Sequence, residues 1–173
     1  MKDLPGSGKR VDVLCRDLAA CFEWGPIWFP KSNLELIALI GETTVLTFRY
    51  PQNQIPLGEV GWASVIKESL RGQQPTFVEV SEGSLDDIIG KLNQPKESGL
   101  WVLDKEGVHL SDINAVHQFT QNSFMLGDHK GFDSQTKNLI SELGIPKLSL
   151  GKKSYLSSHC LTAIISEFER KVR

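Results

Sequence analysis

The sequence predicts an α/β protein with a mostly parallel sheet and flanking helices. Short apolar runs rich in β-branched residues alternate with longer stretches of helical period. Two of the short runs end in a glycine, at Leu126-Gly127-Asp128-His129 and at Ser149-Leu150-Gly151. A helix opens soon after the second glycine, with His159-Cys160 among its first residues. Glycines at strand ends beside a helix N-terminus let the backbone approach a nucleotide-like ligand.

The elements follow in order. Residues 4–8, Leu-Pro-Gly-Ser-Gly, are a turn cluster. A helix is expected over residues 11–22, because Val11, Leu14, Cys15, Leu18 and Phe22 repeat at helical spacing. Gly25-Pro26 and Pro30 break the chain. Residues 34–40 and 45–50 read as strands, and 51–56, bounded by prolines, as a loop. Residues 59–70 read as a helix and 76–80 as a short strand. Ser84 can cap a helix whose core face is Leu85, Ile88, Ile89 and Leu92. Residues 100–103 are a buried type of strand, followed by a turn at Asp104-Lys105-Glu106-Gly107. Residues 123–126 form the next strand. Asp133 caps a helix to Leu143, stopped by Gly144 with Pro146 beyond. Residues 147–150 are the last strand. Ser157 or Ser158 caps a final helix with Leu161, Ile164, Ile165 and Phe168 on one face. In parallel sheets ligands bind outside the carboxyl ends of the strands. Leu103, Gly127 and Gly151 fall at such ends.

Length and composition narrow the classes. The 173 residues suit one domain with a real core. With 40% hydrophobic and 23% charged residues, the composition is that of an ordinary globular protein. No apolar run approaches the ~20 residues of a membrane span, and the first residues lack the apolar stretch of a signal peptide. Cys15, Cys21 and Cys160 form neither a disulfide framework nor a metal-ligand spacing. No metal is expected, and a reducing cytoplasm is the expected compartment. The net charge of −2 means that any nucleic acid would be held by a local basic patch.

Several motifs invite sharper readings. Gly6-Ser7-Gly8-Lys9 resembles the end of a phosphate-binding loop, but Asp3 stands where a glycine is needed and Arg10 where Ser or Thr is needed. A nucleoside triphosphatase is rejected. His129 beside Asp128 could act as a base, although a turn glycine followed by a polar loop is the favoured reading. His109 and His117 read as exposed. Cys160 near a helix N-terminus could be an activated thiol, but nothing completes a Cys-His-Asn arrangement. A wall of a ligand pocket is the better role for it. Lys9, Arg10 and Arg16 near the first helix, and Lys152 and Lys153 after the last glycine turn, are candidates for phosphate contact.

At these residues the sequence resembles a known family. Asp3-Leu4-Pro5-Gly6-Ser7-Gly8, Asp12-Val13-Leu14-Cys15-Arg16, the run from Leu126 to Phe132, Ser149-Leu150-Gly151 and Ser158-His159-Cys160 occur in this order. Together they resemble the archaeal tRNA pseudouridine-54 N1-methyltransferases, of the SPOUT class of knotted methyltransferases. The resemblance runs from Asp3 to the C-terminal helix. It implies one SPOUT domain over residues 1–173, a deep trefoil knot in the C-terminal third, a homodimer, and S-adenosylmethionine as cofactor.

By motif position, the resemblance implies cofactor contacts at Leu103, Gly127, Leu150, Gly151, Lys152, Lys153, Ser154, Tyr155 and Cys160. The expected activity is methylation of N1 of pseudouridine in tRNA. Asp12 is the candidate to take the N1 proton, and Arg10 and Arg16 are the candidates to orient a phosphate or the base. Another structured RNA, such as rRNA, and a non-catalytic cofactor- or RNA-binding protein are the alternatives. The chain departs from the pattern in three ways. It starts almost at the Leu-Pro-Gly block, so the family's first strand is expected to be missing. Lys9-Arg10 carries one extra residue, and Lys152 stands where the family often has proline.

Overall fold

The computed structural model describes residues 11–93, 98–112, 119–128 and 130–172. The turn cluster at 4–8, Lys9, Arg10, His117 and His129 lie outside the described residues. In chain order the elements are α1 (Val11–Phe22), β1 (Glu35–Ile40), β2 (Thr44–Arg49), α2 (Gly58–Ser69), β3 (Val78–Glu82), α3 (Leu85–Leu92), β4 (Ser98–His109), β5 (Gln121–Met125), α4 (Ser134–Glu142), β6 (Lys147–Ser149) and α5 (Ser157–Val172). Short 3-10 turns occupy Lys31–Asn33 and Leu110–Asp112. No described helix is long and apolar enough to cross a membrane.

Two compact units make up the chain: the described residues of Met1–Leu85 with Ser158–Arg173, and those of Asp86–Ser157. In the first unit β1, β2 and β3 form an antiparallel sheet in that order. The expectation of a mostly parallel sheet is therefore wrong for this half of the strands. The reason is local. Only residues 41–43 separate β1 from β2, with Ile40 paired to Thr44, and a parallel pair needs a crossover of a dozen or more residues. Alternation of strands with helices said nothing about that short hairpin.

The core of this unit follows from helical spacing. Cys15, Leu18 and Phe22 of α1 pack with Trp62, Val65 and Ile66 of α2, Leu46 and Phe48 of β2, and Ile165 of α5. Phe22 and Trp62, both fully buried, meet with ring centroids 5.9 Å apart. The end of α1 is closed by Lys31, whose Nζ donates to the carbonyls of Phe22 and Glu23 at 3.1 and 3.0 Å. Those carbonyls would otherwise have no helical donor.

In the second unit the sheet is parallel, in the order β5-β4-β6. This part of the expectation holds. The helix between β5 and β6 is α4. Its start is set by Asp133, whose Oδ1 accepts from Thr136 N at 2.7 Å, a bond that lowers the pKa of the carboxyl. Its end is set by paired bonds from Gly144 N to Ser141 O and from Ile145 N to Ile140 O, the Schellman arrangement that glycine favours. The chain then turns directly into β6.

Candidate functional site

Central to the second unit is β4. Val102 pairs with Met125 on one side, and Leu103 pairs with Leu148 on the other. The carboxyl ends of β5 and β6 therefore flank Leu103, and the loops that begin at Leu126 and Leu150 leave the sheet on either side of it. Gly127 and Gly151 each lie two residues beyond their strand. The structure thus brings Leu103, Gly127, Leu150 and Gly151 to one edge of one sheet, all partly buried.

The turn expected at residues 104–107 does not end β4. Leu103 and Val108 both align with Leu148, so the four residues between them bulge from the strand and return to it. The turn chemistry was legible, since Asp104 Oδ1 accepts from Glu106 N at 3.0 Å. The return was not legible. It depends on Gly107, where a Cβ would lie 2.6 Å from the carbonyl carbon of Lys147.

Each glycine loop holds itself in shape. Beyond β5, Asp128 accepts twice: its carbonyl from Gly131 N at 2.8 Å, and its Oδ1 from Lys130 N at 2.7 Å. The turn folds back so closely that a Cβ on Gly127 would lie 2.8 Å from the carbonyl carbon of Gly131. Beyond β6, Gly151 has φ +137°, in the left-handed region. Ser149 Oγ accepts from Gly151 N at 3.0 Å and shares its own hydrogen between Gly151 O at 3.1 Å and Lys105 O at 3.4 Å. The Tyr155 hydroxyl would lie 3.4 Å from a Cβ on Gly151. Lys152, Lys153, Ser154 and Tyr155 are exposed.

The remaining candidates belong to the first unit, except Arg10, which is not described. On α1, Arg16 pairs with Asp12 one turn before it, and its Nε lies 3.2 Å from Glu59 Oε1 of α2. The guanidinium is held between two carboxylates, so Asp12 keeps a cation beside it. Cys15, packed against this cluster, is pushed up to about 11 by burial and then by Glu59 and Asp12. Cys160 lies in the first turn of α5, half-buried. Burial first, and then Asp17, raises its pKa, so the helix N-terminus does not produce a thiolate. His159 beside it is exposed. No cluster of metal-ligating side chains occurs among the described residues.

Ser149 and Glu59 were missed in the sequence. A serine two residues before a strand-end glycine is a usable signal for the first, because its Oγ can reach the glycine N–H. Nothing in the sequence marks Glu59, which meets Arg16 only through the packing of α1 on α2.

Comparisons with known proteins address the whole chain. Residues 57–172 match the model of a family described as "Putative SAM-dependent RNA methyltransferase". The tRNA (pseudouridine(54)-N(1))-methyltransferase of Thermococcus kodakarensis is 29% identical, over 95% of this chain and 87% of its own length. The enzyme of the same name from Thermococcus gammatolerans is 30% identical, over 95% of this chain and 86% of its own length. Among solved structures, Archaeoglobus fulgidus Nep1 bound to S-adenosylhomocysteine superposes with a TM-score of 0.65, covering 100% of this chain and 77% of that one. At 17% identity this likeness shows the fold alone.

Proposed function

This chain belongs to the family of S-adenosylmethionine-dependent RNA methyltransferases that includes the archaeal tRNA (pseudouridine(54)-N(1))-methyltransferases, and from that premise we propose that it methylates N1 of pseudouridine 54 in tRNA. The observation that carries the reading is the extent of the match. Relatives of that one activity align over 95% or more of the chain.

S-adenosylmethionine supplies a methyl group on a sulfonium, transferred in one in-line displacement. The residues at the sheet edge fit it. Leu103, Gly127, Leu150 and Gly151 lie together at the carboxyl edge of one sheet. Tyr155 and Ser154 add polar groups, and Lys152 and Lys153 add positive charge. In this reading these residues and Cys160 hold the adenosine and fix the direction of the methyl group. Positioning of this kind supplies much of the acceleration in such reactions.

The pseudouridine N1 must lose a proton as it gains the methyl group. Asp12 is assigned to take it. A carboxylate can accept a proton from a donor in hydrogen-bond reach. Arg10 and Arg16 are assigned to orient the base or a neighbouring phosphate. The target base must leave its stack to be reached. A homodimer, the trefoil knot of the C-terminal third and a cytoplasmic location belong to the same proposal. They rest on the motif resemblance.

The test is mass spectrometry of nucleosides from tRNA carrying pseudouridine 54, after incubation with the protein and S-adenosylmethionine. One methyl group is expected on that nucleoside and none when uridine replaces it. An unmodified tRNA, with methyl groups appearing on rRNA fragments instead, would reject the tRNA assignment.

A further inference from the structure

Ser149 is 5% exposed and sits at the last position of β6. Its hydroxyl engages both peptide groups that flank Gly151. The N–H of Gly151 belongs to the peptide shared with Leu150, and the C=O of Gly151 belongs to the peptide shared with Lys152. Both point at Ser149 Oγ, at 3.0 and 3.1 Å. In a trans peptide the N–H and C=O point in opposite directions. The carbonyl of Leu150 and the N–H of Lys152 are therefore both turned away from Ser149. One hydroxyl thus sets the direction of an acceptor and a donor on the side of the loop away from Ser149.

This control is needed because Gly151 has no side chain to restrict it. At φ +137° it occupies a region that glycine enters freely and also leaves freely. The third contact, from Ser149 Oγ to Lys105 O at 3.4 Å, ties the same hydroxyl to the bulge of β4. That bulge is itself anchored to β6 through Lys147 and Asp104. The orientation of the β6 loop and the shape of the β4 bulge thus share one buried group.

We propose that Ser149 is a positioning residue for cofactor binding. It pre-sets the peptides on either side of Gly151 so that they meet S-adenosylmethionine without reorganising. The proposal rests on the reading that this loop holds the cofactor. Ser149 itself touches neither cofactor nor RNA.

The experiment measures S-adenosylhomocysteine affinity by calorimetry, steady-state methyl transfer, and hydrogen exchange of the Gly151 amide. The variants are Ser149→Ala, Ser149→Thr and Gly151→Val. Ser149→Ala is expected to weaken affinity and raise the KM for S-adenosylmethionine about five- to tenfold, the range for loss of a buried hydrogen bond. The change in kcat should be less than about twofold, because the interaction is lost equally in ground and transition states. Gly151 amide exchange should speed up, and Ser149→Thr, which keeps the hydroxyl, should restore most of the affinity. If Ser149→Ala fails to fold, Ser149→Cys, of similar size and much weaker hydrogen bonding, carries the same expectation.

Wild-type affinity and an unchanged Gly151 amide in Ser149→Ala would overturn the proposal. If Gly151→Val lost affinity while Ser149→Ala did not, the loop would still hold the cofactor and only the positioning role would fall. Wild-type affinity in both variants would overturn the loop assignment as well.

Discussion

Asp104 Oδ2 lies 2.8 Å from Lys147 Nζ, joining the bulge of β4 to the first residue of β6. The pair sits where β4 leaves its register, and both partners respond to it. Hydrogen bonding to Lys147 lowers the carboxyl pKa of Asp104, and hydrogen bonding to Asp104 raises the pKa of Lys147. A depressed carboxyl contributes stability that is present above its unfolded pKa and lost as pH falls through its folded value. Both side chains are substantially solvated, so the contribution is about 1 kcal/mol at most. Asp104→Asn should therefore lower stability slightly at neutral pH in urea denaturation. The difference from wild type should vanish in acid and shrink in high salt.

Gly107 and Gly90 make a contrasting pair. A Cβ at Gly107 would meet the β6 backbone at 2.6 Å, whereas a Cβ at Gly90, inside α3, meets nothing within 4 Å. The first obstacle is main chain and cannot rotate aside. Gly107→Ala should destabilise by about 1–3 kcal/mol, the usual range for overpacking. Gly90→Ala should be neutral or stabilise by up to about 1 kcal/mol, because alanine favours the helix. Thermal melting of the two variants side by side checks both signs.

Such contrasts show where the sequence was readable. The helices were legible because core residues repeat at helical spacing, as in Leu18 and Phe22 or Leu161 and Ile165. Asp133 and Gly144 marked the ends of α4. The strand-end glycines were legible as turns: Gly127 lies where a Cβ would meet Gly131, and Gly151 has φ +137°. The direction of β1 and β2 was overlooked, although the short link at residues 41–43 states it. The return of β4 after Asp104 was not readable, since it depends on Gly107 fitting against Lys147, a contact 40 residues away in sequence. The Arg16–Glu59 contact was hidden for the same reason.

That contact carries a prediction about RNA. Arg16 is shared between Asp12 and Glu59, so its charge is partly offset before any phosphate arrives. Arg16→Ala should weaken tRNA binding and reduce the salt slope of the affinity by about 1. Glu59→Gln should do the reverse, tightening tRNA binding and steepening its salt dependence. Asp12→Asn should lower kcat by about 100-fold or more, the usual worth of a general base, with S-adenosylhomocysteine affinity unchanged. Filter binding at several salt concentrations, together with single-turnover rates, separates the three effects. Equal losses of cofactor affinity in all three variants would assign this cluster a purely structural role.

The cysteines give the last prediction, and its sign is fixed by burial. Cys15 and Cys21 are pushed up to about 11 and about 12, in each case chiefly by burial. Burial also raises Cys160. A thiol whose folded pKa is raised contributes stability that is complete below its unfolded pKa. That stability fades as pH climbs through the folded value, because the unfolded chain gives up its proton first. The protein should therefore lose stability between about pH 8.5, where a free thiol ionises, and about pH 12, the upper end set by Cys21. Cys21→Ala should flatten that loss, at the cost of a small cavity. At pH 7 iodoacetamide should modify Cys160 more slowly than free cysteine and leave Cys15 and Cys21 intact until denaturant is added. Cys160→Ser should keep kcat within about tenfold of wild type, with any larger effect falling on the KM for the cofactor. A covalent nucleophile would instead lose orders of magnitude in kcat. Rapid alkylation of Cys160 in the folded protein, together with such a loss, would restore the nucleophile role that burial of the thiol argues against.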